Sequence, residues 1–191
     1  MAALPRSFYG RPPAEVARAL LGAILVHATP DGLLSGRIVE VEAYLGEVDP
    51  GSHAFRGPTT RNAVMFGEPG RLYVYRSYGI HTCANVVCDA DGTAGAVLLR
   101  GLEPLTGRDI MRRHREGRED IANGPGRLCA ALGITLKDNG LDLTGSRIWI
   151  EGGERPDAIG QTTRVGLTRG RELPLRFFVL GNPHVSRGRP S

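Results

Sequence analysis

Apolar positions recur along the chain with two different periods. Residues 14–22, AEVARALLG, show helical spacing behind Pro12 and Pro13, and Gly22 stands where a helix would stop. The same spacing predicts a helix around residues 108–116, RDIMRRHRE, and a shorter one over 127–133, RLCAALG, behind the Gly-Pro-Gly of 124–126. The remainder reads as strand: residues 23–28, 34–45, 71–75, 80–88, 95–103, 146–152 and 175–181 are rich in β-branched or aromatic residues and bounded by turn formers. Short connections, TPDG at 29–32 and RSYG at 76–79 among them, favour antiparallel pairing over a series of βαβ units. The expected fold is therefore mixed α/β of the α+β kind, with a curved antiparallel β-sheet core, flanking helices and a protruding β-hairpin.

Length and composition narrow this further. The chain of 191 residues suits one domain, 1–191, that buries a core of its own, with residues from about 184 to 191 read as a frayed tail. No apolar run approaches the roughly 20 residues of a membrane span. The N-terminal MAALPRSFYGRPP lacks the apolar segment of a signal peptide, so a cytoplasmic protein is expected. Cys83, Cys88 and Cys129 are odd in number and form no Cys-x-x-Cys pair, which disfavours a disulfide framework or structural zinc and fits idle thiols in a reducing compartment. The formal net charge is +4, and Lys137 is the only lysine, so arginine carries nearly all the positive charge. Arginine suits bidentate contact with phosphate, which makes nucleic acid binding permissible without requiring it.

Candidate chemistry gathers in two stretches. In RIVEVEAYL, Val39, Val41, Ala43 and Leu45 alternate with Glu40, Glu42 and Tyr44. With the apolar set on the core, two carboxylates and a phenol project from the opposite face, either as a solvated strand surface or as part of a site. The segment then enters a Gly/Pro-broken loop, LGEVDPGSHAFRG, that brings His53 back toward the strand end, an arrangement common where a rigid element positions reactive groups. In RLYVYRSYGIHTCANVV the chain must reverse at RSYG, which puts Tyr78 at a hairpin tip, folded over the turn or standing out as a wedge between base pairs. Four of the five tyrosines lie between residues 44 and 78, beside Arg56, Arg61, Arg71 and Arg76, a combination suited to a nucleic acid backbone with an exposed base. The arginines at 108, 112, 113, 115 and 118 alternate with acids and read as a solvated helix face. Glu40, Glu42 and His53 lack the spacing of a metal motif, so a catalytic metal is not expected, and neither a phosphate loop nor a Gly-x-Ser-x-Gly elbow is present.

These residues carry a resemblance. Residues 37–105, from RIVEVEAYLGEVDPGSHAFRG through RLYVYRSYGIHTCANVV to GAVLLRGLEPL, resemble the alkyladenine (3-methyladenine, or methylpurine) DNA glycosylases, and NGPGRLCAALGI at 123–134 and RVGLTRGRELPLRFFVLGNPHVS at 164–186 are similar too. The resemblance implies a single mixed α/β domain that acts as a monomer on double-stranded DNA and needs no metal or cofactor. Its implied reaction excises alkylated or deaminated purines: 3-methyladenine, 7-methylguanine, hypoxanthine and ethenoadenine. Glycosylases as a class flip the target nucleotide out of the duplex. Carried over by position, Glu42 is the general base that activates water. Tyr44 and His53 sandwich the flipped base with Tyr75 on its other face, and Tyr78 fills the gap left in the duplex. Arg100 lies near the attacking water and a phosphate, Val165 supplies a backbone group beside that water, and Asn85 opposes the exocyclic amine of normal guanine.

Departures are small: Thr60 stands where the family commonly has proline in Thr-Pro-Arg-Asn, and Arg76-Ser77 precedes the wedge where other members carry apolar residues. No lysine lies near these residues, so Schiff-base lyase chemistry is not expected. A damaged-DNA-binding module without turnover, or a nucleosidase acting on free nucleosides, are the competing readings. Only the nucleosidase has no use for Tyr78.

Overall fold

A computed structural model describes residues 2–187. Helices α1 (Arg6–Tyr9) and α2 (Pro13–Leu20) lead into strands β1 (Ile24–Thr29) and β2 (Gly32–Tyr44). A long loop containing the 3-10 turns Gly46–Val48 and Ala63–Phe66 follows, then β3 (Leu72–Ser77), β4 (His81–Val87) and β5 (Ala96–Thr106). The chain continues through α3 (Arg108–His114) and α4 (Pro125–Leu132) to β6 (Ile148–Glu151), β7 (Ile159–Thr162) and β8 (Arg176–Val179). Every pairing is antiparallel; the strand order is β3-β4-β5-β2-β1-β6, with β8 on β2 and β7 on β8. The architecture is thus the expected curved antiparallel sheet with flanking helices. Helix α1 (RSFY) and strand β7 (IGQT) escaped the sequence pattern, the first because four residues are too few to display a helical period and the second because it carries too few β-branched or aromatic residues to read as strand.

Strand β2 organises the sheet. Its first half pairs with β1, Glu40 to Glu42 pair with β8, and β5 runs beside nearly its whole length. Changing partner midway requires the strand to bend, and the bend is built from two compensating irregularities. Val39 on β2 and Arg100 on β5 are each skipped in the ladder, so the register shifts at Ile38/Glu40 and returns at Glu40/Val41. The simple alternation expected for residues 39–45 fails here: Ile38 joins Val41 and Ala43 in the core cluster, and Val39 does not. Glu40 and Glu42 do keep company on the other face, but both are 0% exposed, so that face is no solvated surface.

The core lies on the first face. Val16, Ala17 and Leu20 of α2 and Leu128, Cys129, Ala131 and Leu132 of α4 pack with Val41, Ala43, Val86, Val97 and Leu99 of the sheet. Helix α2 starts with proline in its first turn, where the missing N–H costs nothing, and α4 ends at Gly133 in the left-handed conformation. A smaller cluster of Ala54, Met65, Tyr73, Val87, Ala94 and Ala96 ties the long loop to the edge of the sheet. All three cysteines are free and buried.

The hairpin β3–β4 protrudes as expected. Ser77 and His81 close the ladder, Ile80 N donates to Ser77 O at 3.1 Å, and the two central residues, Tyr78 and Gly79, have φ of 49° and 74°. Two positive φ values make this a primed turn, whose twist matches the flanking strands. Tyr78 is 87% exposed, so it stands out rather than folding over the turn.

The end of the chain differs from expectation. Within residues 184–187, where a frayed tail was expected, Ser186 is buried and donates its backbone N–H to Glu40 at 2.6 Å; residues 188–191 lie outside the described part.

At the exit of β2, Gly46 combines φ of 69° with a close approach: a Cβ there would sit 1.8 Å from the carbonyl oxygen of Ala94. Substituting Gly46→Ala should cost on the order of 2 kcal/mol or more, because neither the backbone angle nor the neighbouring main chain can adjust cheaply. Urea unfolding at neutral pH measures that loss.

Candidate active site

Glu42 lies near the C-terminal end of β2 and three elements meet its carboxylate. Tyr44, two residues on and therefore on the same face, donates its hydroxyl to Oε2 at 2.9 Å. The backbone N–H of Val165, from the loop between β7 and β8, donates to Oε1 at 2.7 Å. From the β5 irregularity, Arg100 brings Nη1 to 3.5 Å from Oε2. Burial foremost, and then the Glu42 charge, push the Tyr44 phenol well above its ordinary pKa, so it remains a donor at neutral pH.

Behind this group a second carboxylate holds the arginine. Glu40 accepts from Arg100 Nε at 3.0 Å, Arg176 Nε at 2.7 Å, Ser186 N at 2.6 Å and Ser186 Oγ at 2.8 Å. Arg100 therefore bridges the two glutamates, and its orientation is set from the side away from the cleft.

In front lies a cleft of about 1070 Å³ whose lining includes Tyr44, His53, Tyr75, Asn85, Arg100 and Val165, with Tyr78 at its outer end. Glu42 sits one layer beneath that lining. Aromatic rings form one wall: His53 meets Tyr75 edge-on at 4.5 Å between centroids, and Tyr73 stacks on Tyr75 at 5.4 Å. Arg61 covers Tyr75 from outside, with its guanidinium 5.5 Å from the ring centre. His53 Nδ1 lies 3.2 Å from the Tyr73 hydroxyl. Partial desolvation in the cleft wall, and then the Arg61 charge, hold His53 below the ordinary histidine value, so the imidazole is neutral at pH 7. The buried Asn85 donates Nδ2 to the Tyr73 carbonyl at 3.2 Å, which fixes its side chain at the base of the slot.

All eight residues singled out from the sequence thus fall on one continuous surface or directly under it. Tyr44, Val165 and Arg100 meet the Glu42 carboxylate, His53, Tyr75 and Asn85 line the cleft, and Tyr78 stands at the hairpin tip. Missed were Asp49, Arg164, Arg176 and Ser186, which are brought in by long-range contacts for which the local pattern holds no signal; Tyr73, counted among the clustered tyrosines but given no role, joins the wall of the cleft. Arg112 pairs with Glu119 at the surface as expected, but Arg115 does not lie on a solvated face: it is mostly covered, pairs with Asp120, donates to the Ile121 carbonyl and lines the cleft. Among the described residues, no group of three or more His, Cys, Asp or Glu is placed to hold a metal ion. No helix among them is long and apolar enough to cross a membrane.

Against known families, residues 7–183 match the model for methylpurine-DNA glycosylase. The chain belongs to that family. A protein from Methanoculleus marisnigri is 48% identical over 192 residues, covering 96% of this chain and 98% of its own. One from Chlorobium phaeovibrioides is 46% identical over 196 residues and covers both chains fully, and one from Rubrobacter xylanophilus is 52% identical over 164 residues, covering 85% of this chain and 86% of its own. Each carries the name "Putative 3-methyladenine DNA glycosylase".

In this family member the Glu40 cluster has a direct energetic consequence. Four donors, two of them on arginines less than 7% exposed, converge on one carboxylate. Glu40→Gln keeps the shape and removes the charge, leaving Arg100 and Arg176 short of a buried counter-ion. A stability loss of about 3 to 5 kcal/mol is expected, measured by denaturant unfolding against the wild-type protein.

Proposed function

We propose that this protein hydrolyses the N-glycosidic bond of damaged purines in double-stranded DNA, releasing the free base and leaving an abasic site. The observation that carries the reading is the placement of the Glu42 carboxylate, gripped by Tyr44, Val165 and Arg100, directly beneath a slot of aromatic rings. A purine has a flat face for such a slot, and only a base turned out of the helix could enter it. Tyr78, exposed on its turn, is the group that takes the vacated space in the duplex.

On this reading Glu42 is the general base. Cleavage of the bond builds positive charge on the sugar, and a fixed carboxylate both stabilises that charge and takes a proton from the attacking water. The hydrogen bonds from Tyr44 and Val165 hold the carboxylate without neutralising it. Arg100 offers its remaining donors toward a phosphate or the water. Tyr44 and His53 orient the base against Tyr75. Asn85, immobilised by its bond to Tyr73, narrows the slot against the exocyclic amine of normal guanine.

The substrates we assign are 3-methyladenine and 7-methylguanine, together with hypoxanthine and ethenoadenine. Cationic methylpurines leave readily, whereas neutral hypoxanthine needs protonation to leave, so the two classes should respond differently to pH. Lys137, the only lysine, lies on the 136–138 turn away from the cleft, so release occurs by hydrolysis without lyase chemistry. The protein is expected to act as a monomer in the cytoplasm, on the DNA it shares that compartment with.

The test is release of free base from a duplex carrying one hypoxanthine, run beside methylated DNA. The wild-type protein should release base from both; Glu42→Gln should still bind damaged duplex while release falls roughly 10³-fold. Binding without release by folded wild-type protein would instead identify a damage-binding module.

Tyr78→Ala provides a separate check. It should slow release from duplex DNA by on the order of tenfold or more, since a vacated stack then goes unfilled. Undiminished duplex activity, with turnover of free nucleosides, would point to a nucleosidase.

A further inference from the structure

Two loops close over the end of β2 through an ion pair that solvent does not reach. Asp49 and Arg164 are both 0% exposed, and the guanidinium meets the carboxylate edge to edge, Nη1 to Oδ2 at 2.5 Å and Nη2 to Oδ1 at 2.8 Å. Each partner is also set into main chain. Arg164 donates to the carbonyls of Ala43 at 3.1 Å and Gly170 at 2.9 Å, while Asp49 accepts from the amides of Leu45 at 3.1 Å and Gly51 at 2.9 Å. The surrounding chain leaves no slack: a Cβ on Gly51 would lie 2.8 Å from Arg164 Nη2, and one on Gly170, with φ of 60°, would lie 3.1 Å from both Nη2 and Asp49 Oδ1.

The pair sits one step from the Glu42 carboxylate in two directions. The residue after Arg164 is Val165, whose N–H reaches Glu42 Oε1, so the backbone angle at 164 aims that donor. The guanidinium carbon lies 4.7 Å from the centre of the Tyr44 ring, and it is the hydroxyl of that ring which reaches Glu42 Oε2. Both neutral donors on Glu42 therefore depend on where Arg164 is. Burial alone would raise the Asp49 carboxyl, but its bonds from Arg164 prevail and hold it below the usual carboxylate range, so the pair is ionised at neutral pH. Buried ion pairs are seldom the most stable filling for a site of their size, since apolar replacements are often neutral or stabilising. A geometric role accounts for what stability does not.

We propose that Asp49 and Arg164 are positioning residues for base excision, locking the Val165 amide and the Tyr44 ring on Glu42 before substrate arrives. The claim rests on Glu42 being the general base, and its test has one readout that needs no catalysis. In the free protein, hydrogen exchange at the Val165 amide, followed by NMR, reports the lock itself; single-turnover release from a hypoxanthine duplex reports its effect on chemistry. Two variants are compared with wild type: Asp49→Asn, and Asp49→Asn combined with Arg164→Met, which removes both charges and so avoids stranding one.

Both variants should exchange the Val165 amide at least tenfold faster, with the amides of Val41 and Ala43 unchanged, and should release base roughly 10²-fold more slowly at unaltered affinity for damaged duplex. A merely structural pair would lower the unfolding midpoint of the single variant, and the folded double variant would then recover wild-type exchange and rate. That recovery overturns the proposal. So does a wild-type release rate in a variant whose Val165 amide has loosened. If the single variant does not fold, the double variant carries both readouts. If wild-type protein releases no base from either substrate class, the assigned reaction fails while the exchange data still decide the positioning claim.

Discussion

Two carboxylates, two residues apart on one strand and both inaccessible to water, are the constraint from which the rest of this structure follows. A carboxyl group taken out of water is costly unless its oxygens find hydrogen-bond partners, so burying Glu40 and Glu42 demands donors from elsewhere in the chain. The fold delivers them from four places: Arg100 on β5, Arg176 on β8, Val165 before β8 and Ser186 after it. These contacts also explain why the sheet branches. Strand β8 must lie against Glu40 to Glu42 for Arg176 to reach Glu40, and it occupies the stretch of β2 that β1 no longer covers.

The irregularity shared by β2 and β5 serves the same end. In a regular ladder Arg100 would stand directly opposite a β2 residue and its side chain would follow the strand's alternation. Skipping it frees the guanidinium to lie between the glutamates, with Nε on Glu40 and Nη1 toward Glu42. Because Val39 is skipped on the other strand, register is restored within a few residues and the core face is disturbed only by exchanging Val39 for Ile38. A local defect is thereby confined to the place where a charge has to be aimed.

Much of this was legible in the sequence. All strands but β7, three of the four helices and the hairpin could be read from periodicity and turn residues, because short connections and alternating patterns are local properties. Tyr78 was legible for the same reason: a chain reversal at RSYG leaves that side chain little to pack against. What the pattern misjudged was depth. Alternation shows that Glu40 and Glu42 share a face but says nothing of what covers it, and the cover comes from residues more than 50 positions away. Asp49 and Arg164, 115 positions apart, were invisible for that reason, and Ser186 was assigned to a loose tail because its partner is an acid at the other end of the chain. The roles of Glu42, Tyr44, His53, Tyr75, Asn85, Arg100 and Val165 came from family resemblance; their convergence on one cleft is a property of the fold.

The site joins a rigid half to a strained one. Around Glu42, Arg100 is held by Glu40 and Ser186 and the Tyr44 ring lies against Arg164, so little reorganisation is left for the reaction itself. The hairpin is the reverse. Tyr78 adopts a positive φ that a bulky side chain seldom takes, and its ring is spread into water with no ring contact among the described residues. Such an arrangement stores backbone strain and unburied apolar surface that the free protein has no means to relieve. Insertion into a base stack relieves the second at once, burying the ring between flat faces. On the proposed reading the energy of opening the duplex is then offset at the hairpin, outside the pocket, so the aromatic slot need not bind every purine tightly in order to reach the few that are damaged. Discrimination is left to the slot and the lesion, and the wedge can be indifferent to sequence.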